Sequence, residues 1–169
     1  MIVAFDGLLS VHYSQAYVAS DDVGPDPARA FTGQTNGLCG AQIRGALFLV
    51  TGRNTGKVGF RVEVADAPPP LADHWEEVVE ISFMPTSAEV SLMDWHQRMF
   101  PLPLVESTSY RVRYSARGMD AGKTTIEDEI VDFYQLTFWP APPKADCVVR
   151  QTSRIAAHWH EEGFTRSPG

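Results

Sequence analysis

The stretch KVGFRVEVA, residues 57 to 65, limits the fold more than any other. Val58, Phe60, Val62 and Val64 alternate with Lys57, Gly59, Arg61 and Glu63. Successive side chains of a strand point to opposite faces, so this run has one apolar face and one polar face. The same period recurs in SYRVRYSA (109–116), where Tyr110, Val112 and Tyr114 alternate with Arg111, Arg113 and Ser115. In WEEVVEISFMP (75–85), Trp75, Val79, Ile81 and Phe83 share a face, with Glu76, Val78, Glu80 and Ser82 opposite. IRGALFLVT (43–51) is apolar on both sides, as a more central strand would be. LLSVHYSQAYV (8–18), AEVSLMDW (88–95) and VDFYQLTFWPAPP (131–143) complete the strand candidates, and FPLPLVEST (100–108) reads as extended and turn-rich.

Gly, Pro, Asn and Asp punctuate the chain between these runs. Residues 19–41 form a long loop with one helical turn at DPARAF. A proline loop covers 66–74 and an acidic loop 118–130. Only TSRIAAHWHEEGF (152–164) has helical spacing. Ser153 is its N-cap, Ile155, Ala156 and Trp159 form its apolar stripe, and Gly163 stands where its C-terminus wants a glycine. Short strands with one terminal helix predict a mainly β fold: an antiparallel sandwich of jelly-roll type, one domain over 1–169. A chain of 169 residues buries enough surface to need no disulfide or metal for its core.

VTGRNTGKVGF (50–60) has the look of a phosphate-binding loop. The G-x-x-x-x-G-K-[ST] pattern is one residue short here, and Val58 replaces the hydroxyl that would bind a metal. A strand follows in place of a helix, so no helix N-terminus is available for an anion. The expectation is a hairpin joining 43–51 to 57–65, with Arg53 and Lys57 at a solvated tip far from any acidic face.

The formal net charge of −7 argues against direct nucleic-acid binding. No apolar run is long enough to span a bilayer, and residues 1–15 lack a basic n-region, so a cytoplasmic protein without a membrane role is expected. Cys39 and Cys147 are expected as reduced thiols. No spacing of His and Cys suggests zinc, and no cofactor motif occurs. His158 and His160 in HWH diverge on a helix by about 200°. A metal-dependent enzyme would need His12, His96 and His158 to meet in space. Serines lack a G-x-S-x-G elbow.

The surface chemistry is acidic. Asp73, Glu76, Glu77 and Glu80 form one cluster, and Glu127, Asp128, Glu129 and Asp132 form another. Together with Trp75 they are the candidate partner-binding residues. Carboxylates steer a basic partner, and an exposed tryptophan anchors it, with Trp95 and Trp139 as further candidates. The expected partner is a basic protein such as a nuclease, occluded by carboxylates that mimic phosphates. A jelly roll with an aromatic-lined pocket for a small ligand or carbohydrate is the alternative.

Two strands carry a family resemblance. Tyr13 and Gln15 in VHYSQAYV, and Tyr134, Gln135, Leu136, Thr137 and Trp139 in FYQLTFWPAPP, resemble the competence protein J family. The resemblance implies a β-sandwich that inhibits a DNA-entry nuclease inside the cell. No functional residue carries over from it.

Overall fold

The computed structural model describes residues 1–20 and 26–162. Part of the predicted 19–41 loop, and Gly163 with its capping role, lie outside these residues. Among the described residues the chain forms a six-stranded and a five-stranded sheet around one core. The larger sheet has the spatial order β1 (Ile2–Val11), β5 (Gly56–Val64), β10 (Phe133–Pro140), β9 (Tyr110–Arg117), β6 (Glu77–Phe83) and β11 (Cys147–Arg150). The smaller one runs β3 (Cys39–Gly40), β4 (Ala46–Val50), β2 (Gln15–Ser20), β7 (Val90–Met93) and β8 (Met99–Leu102). The helices are α1 (Pro27–Ala30), α2 (Met119–Thr124) and α3 (Arg154–Glu161). The mainly β fold with a short helix near the C-terminus is therefore as expected.

The period-two faces pack as the alternation requires. Val58, Phe60 and Val62 of β5, Val112 and Tyr114 of β9 and Leu136 and Phe138 of β10 enter the core. They meet Val18, Leu47, Leu49 and Leu92 of the smaller sheet, all fully buried. The second face of β4 is also covered, with Phe31 at the end of α1 packing edge-on to Phe48 at 5.7 Å. That explains why IRGALFLVT lacks a polar side. One pair departs from the antiparallel expectation: β5 and β10 run parallel, both starting at the same end of the sandwich.

Two segments depart more sharply. The predicted strand 8–18 is two strands in different sheets. Tyr13 and Ser14 turn the corner at φ of 53° and 59°. Left-handed backbone is uncommon without glycine, and here neighbouring backbone holds it: Ser14 N donates to Asn54 O at 3.0 Å, and Thr51 N donates to Ser14 O at 3.0 Å. The predicted hairpin at 50–60 is likewise a crossing between sheets, because β4 and β5 never pair. Segments 2–7, 99–102, 119–124 and 147–150 adopt regular structure that the sequence pattern did not suggest.

The terminal helix is capped as predicted, with Ser153 Oγ accepting from Ala156 N at 3.1 Å. Asp120 of α2 accepts from Arg154 N and Ile155 N, tying the two helices together. The helix lies so close to residue 37 that a Cβ there would sit 1.9 Å from Trp159 O, which only glycine avoids. Gly37 N donates to His160 Nδ1 at 3.0 Å. Both cysteines are free, and complete burial pushes the Cys39 thiol up.

His160 links this packing to pH. Nδ1 accepts a hydrogen bond only when unprotonated, and burial, opposed by nearby Asp146, lowers the imidazole below its ordinary 6.5. As pH falls through about 6.5, the unfolded chain takes up a proton that the folded chain refuses. This contribution to stability is thus complete above that pH and declines below it, levelling off under the folded value. His160→Asn keeps an acceptor but does not titrate. Urea midpoints between about pH 7.5 and 5.5 should fall less steeply for that variant. Equal slopes would show that His160 is not responsible.

Candidate functional site

Strand register gathers several loops at one end of the sandwich. Val11 pairs with Gly56, Gly59 with Phe133, Phe133 with Arg117 and Ala116 with Glu77. The segments 12–14, 51–55, 73–76, 94–98 and 118–132 all emerge there. Every nominated carboxylate except Glu80 belongs to this end.

A buried polar network supports it. Asp132 is fully buried and accepts from Tyr134 Oη at 2.6 Å and from Arg53 N at 3.1 Å. Tyr134 Oη accepts in turn from Gly52 N at 2.7 Å. Arg53, only 4% exposed, faces Asp132 Oδ1 with its Nε at 3.7 Å. That distance is too long for a hydrogen bond, and neither atom has another partner among the described residues. Burial raises the Asp132 carboxyl above its ordinary value, while the Tyr134 hydrogen bond and Arg53 pull it back. Tyr114 Oη closes the cluster on Val50 O at 2.9 Å.

The Arg53 guanidinium does something further. Its two terminal nitrogens donate to the carbonyls of Glu127 and Glu129. The acidic loop is therefore held from beneath by backbone bonds, and its carboxylates stay outside. Glu127, Asp128 and Glu129 are exposed, and Ile126 beside them is 98% exposed. The crossing at 51–57 was expected to be solvated and remote from any acidic face. It is instead buried at Arg53 and directly adjoins that face.

An aromatic corner lies next to the loop. His12, Tyr13 and Trp95 pack against one another at centroid distances of 4.0, 5.0 and 5.6 Å. Tyr13 and Trp95 remain 59% and 37% exposed. His12 Nδ1 lies 2.7 Å from Thr55 Oγ1. One hollow of about 330 Å³ involves His12, Trp95 and Lys57, and another of about 530 Å³ involves Lys57, Ile126 and Asp128. Thr55, Gly56 and Lys57 border both, so aromatic corner and acidic loop form one surface.

The remaining nominated residues divide. Asp73 and Glu76 are exposed at this end, and Glu76 accepts from Gly118 N at 2.6 Å. Trp75 is 9% exposed and packs beside His74. Glu77 and Asp132 are fully buried and hold the fold, so they have no surface to offer a partner. Glu80 lies on the outer face of the larger sheet, paired with Arg111 and Arg113. Trp139 is buried under Arg113. Among the described residues no group of three or more His, Cys, Asp or Glu is placed to hold a metal ion, so His12, His96 and His158 do not meet. No helix among them is long and apolar enough to cross a membrane. Ile126 and Tyr13 escaped the sequence pattern. The only trace of the first is one apolar residue inside TTIEDE.

No family model matches the chain, and no curated protein does. Two solved structures are similar. One is ComJ from Bacillus subtilis, described as the inhibitor of the DNA-degrading activity of NucA, at 18% identity and a TM-score of 0.56, covering 83% of this chain and 98% of its own. The other is described as crocagin biosynthetic gene J, at 13% identity and a TM-score of 0.50, with the same coverages. At these identities the likeness is one of fold, and it extends over nearly the whole of both neighbours.

Proposed function

We propose that this protein binds another protein through the loop end of its sandwich and blocks it. The partner is a basic enzyme, with a nuclease as the leading case, and the encounter takes place in the cytoplasm. The observation that carries this is the position of Ile126. It stands almost fully exposed on an acidic loop whose backbone is tied down by Arg53. A loop ordered before binding loses little entropy on association. An exposed apolar anchor ringed by carboxylates has the composition of an interface centre with a steering rim. Tyr13 and Trp95 extend the apolar part, and Glu127, Asp128, Glu129, Glu76 and Asp73 supply the charge. The fold likeness to ComJ, an inhibitor of a DNA-degrading activity, points the same way.

The experiment is capture from a source-cell lysate followed by a nuclease assay on the captured protein. Wild type should retain a basic partner at low salt and release it as salt rises. Ile126→Ser should weaken binding by about thirtyfold, the effect of losing an interface anchor. Glu127→Lys/Asp128→Lys should mainly slow association. Absence of any partner at low salt, or equal retention by all variants, would sink the proposal.

A further inference from the structure

The outer face of the six-stranded sheet holds a second feature, with the opposite charge. A groove of about 520 Å³ runs over it, floored by Trp139 and walled by Pro68, Pro142 and Pro143. Its charged lining is Arg111, Arg113 and Lys144 against one carboxylate, Glu80. It lies away from the loop end, because Trp139 is six residues along β10 from Phe133, roughly 20 Å at strand rise.

The four charged groups play different roles. Arg111, 5% exposed, is fully engaged. It donates to Lys144 O at 2.9 Å and Ala145 O at 3.1 Å, and its Nε faces Glu80 at 3.5 Å. It thereby fixes the 144–145 wall. Arg113 donates through Nε to Glu80 at 3.1 Å and through Nη1 to Pro69 O at 2.8 Å. Its guanidinium carbon lies 5.1 Å from the Trp139 ring centroid. Its Nη2 has no partner among the described residues, and neither does the Lys144 ammonium. One carboxylate thus serves two largely buried guanidiniums and leaves positive charge uncompensated. The next carboxylate on this face, Glu63, is taken by Arg61 at 2.7 Å. A protein with a net charge of −7 keeps a locally cationic, partly desolvated groove here.

We propose that this groove binds a small anion: a carboxylate or phosphate head carried on a flat apolar body. The head meets Arg113 Nη2 and Lys144 Nζ, which supply charge-assisted hydrogen bonds. The body lies against the prolines and Ala141 and reaches the small exposed part of the indole. The volume suits a small-molecule site, in which a few placed polar groups orient an otherwise apolar ligand.

Titration of the full chain with phenyl phosphate, benzoate, inorganic phosphate and phenol tests this, followed by the Trp139 indole N–H resonance. Phenyl phosphate or benzoate should shift that resonance saturably, and the stronger of the two identifies the head. Inorganic phosphate and phenol should each bind at least tenfold more weakly, about the loss of one such interaction. Lys144→Ala should weaken binding about tenfold, and Arg113→Gln at least as much. Lys144 bonds to the fold only through its backbone, so its variant reports on binding even if Arg113→Gln is unstable. No saturable shift with either aryl anion, undiminished binding in Lys144→Ala, or equal affinity for inorganic phosphate would each overturn the assignment. Ile126→Ser should leave these titrations unchanged, which separates this site from the loop end.

Discussion

Arg53→Met is expected to lower the free energy of unfolding by about 3–5 kcal/mol, the usual cost of leaving one partner of a buried pair alone. In a chain of this length that corresponds to a melting temperature roughly 10 °C lower. The size follows from what remains. Asp132 stays fully buried, with donors left at Tyr134 Oη and the residue 53 amide but no cation beside it among the described residues. Its carboxyl is already pushed up by burial, and loss of the cation pushes it further. The Glu127 and Glu129 carbonyls also lose their tether. The double variant Arg53→Met/Asp132→Asn removes both charges and keeps an acceptor for the Tyr134 hydroxyl. It should be clearly less destabilised than the two single variants summed. Urea unfolding of all four proteins measures the coupling, and additivity within about 0.5 kcal/mol would mean that the pair is not coupled.

Glu77→Ala is expected to cost about 3–4 kcal/mol, but locally. The Glu77 carboxylate is fully buried and accepts from Thr152 N at 2.8 Å, Thr152 Oγ1 at 3.0 Å and Ser153 N at 3.0 Å. Hydrogen bonds to a charged group contribute roughly 1.5–3 kcal/mol each, and alanine leaves the Ser153 amide buried without its acceptor. These bonds lead the chain from β11 into α3. Hydrogen exchange should therefore rise first at the Ala156 and Ala157 amides, with β5 and β10 protected until global unfolding. Uniform loss of protection would mean that Glu77 supports the whole sandwich and not only the docking of its helix.

The sequence reveals packing better than it reveals corners. Alternation in 57–65 and 109–116 locates two strands and their buried faces, because burial on one side of a pleat imposes period two. Ser153 is legible because a helix N-terminus has one chemical need and a short list of residues meets it. The corner at Tyr13–Ser14 is not legible, since backbone bonds from Asn54 and Thr51 hold a left-handed turn that local propensity opposes. The crossing at 51–55 has the glycines of a hairpin for a different reason. A Cβ on Gly52 would lie 2.2 Å from Met119 O, so that glycine allows α2 to approach. Carboxylates are the least legible class. Glu77 and Asp132 look like their acidic neighbours in sequence, and only tertiary donors turn them into core groups. Asp73, Glu76, Glu127, Asp128 and Glu129 are exposed, whereas Arg53, Glu77 and Asp132 are buried, and no local pattern separates the two sets.

The place of β10 has a consequence for synthesis. It lies between β5 and β9, so the strands of the larger sheet made before it form two separate ribbons, β1–β5 and β9–β6, until residues 133–140 arrive, and β11 joins β6 only afterwards. A nascent chain emerging in order has completed the smaller sheet by residue 102 but exposes one unpaired edge of β5 for a further thirty residues. Such an edge is a template for the wrong partner. β5 carries Lys57 at its start and the Arg61–Glu63 ion pair further along, and charged side chains on an edge strand discourage pairing with a second copy while the proper strand is still being made.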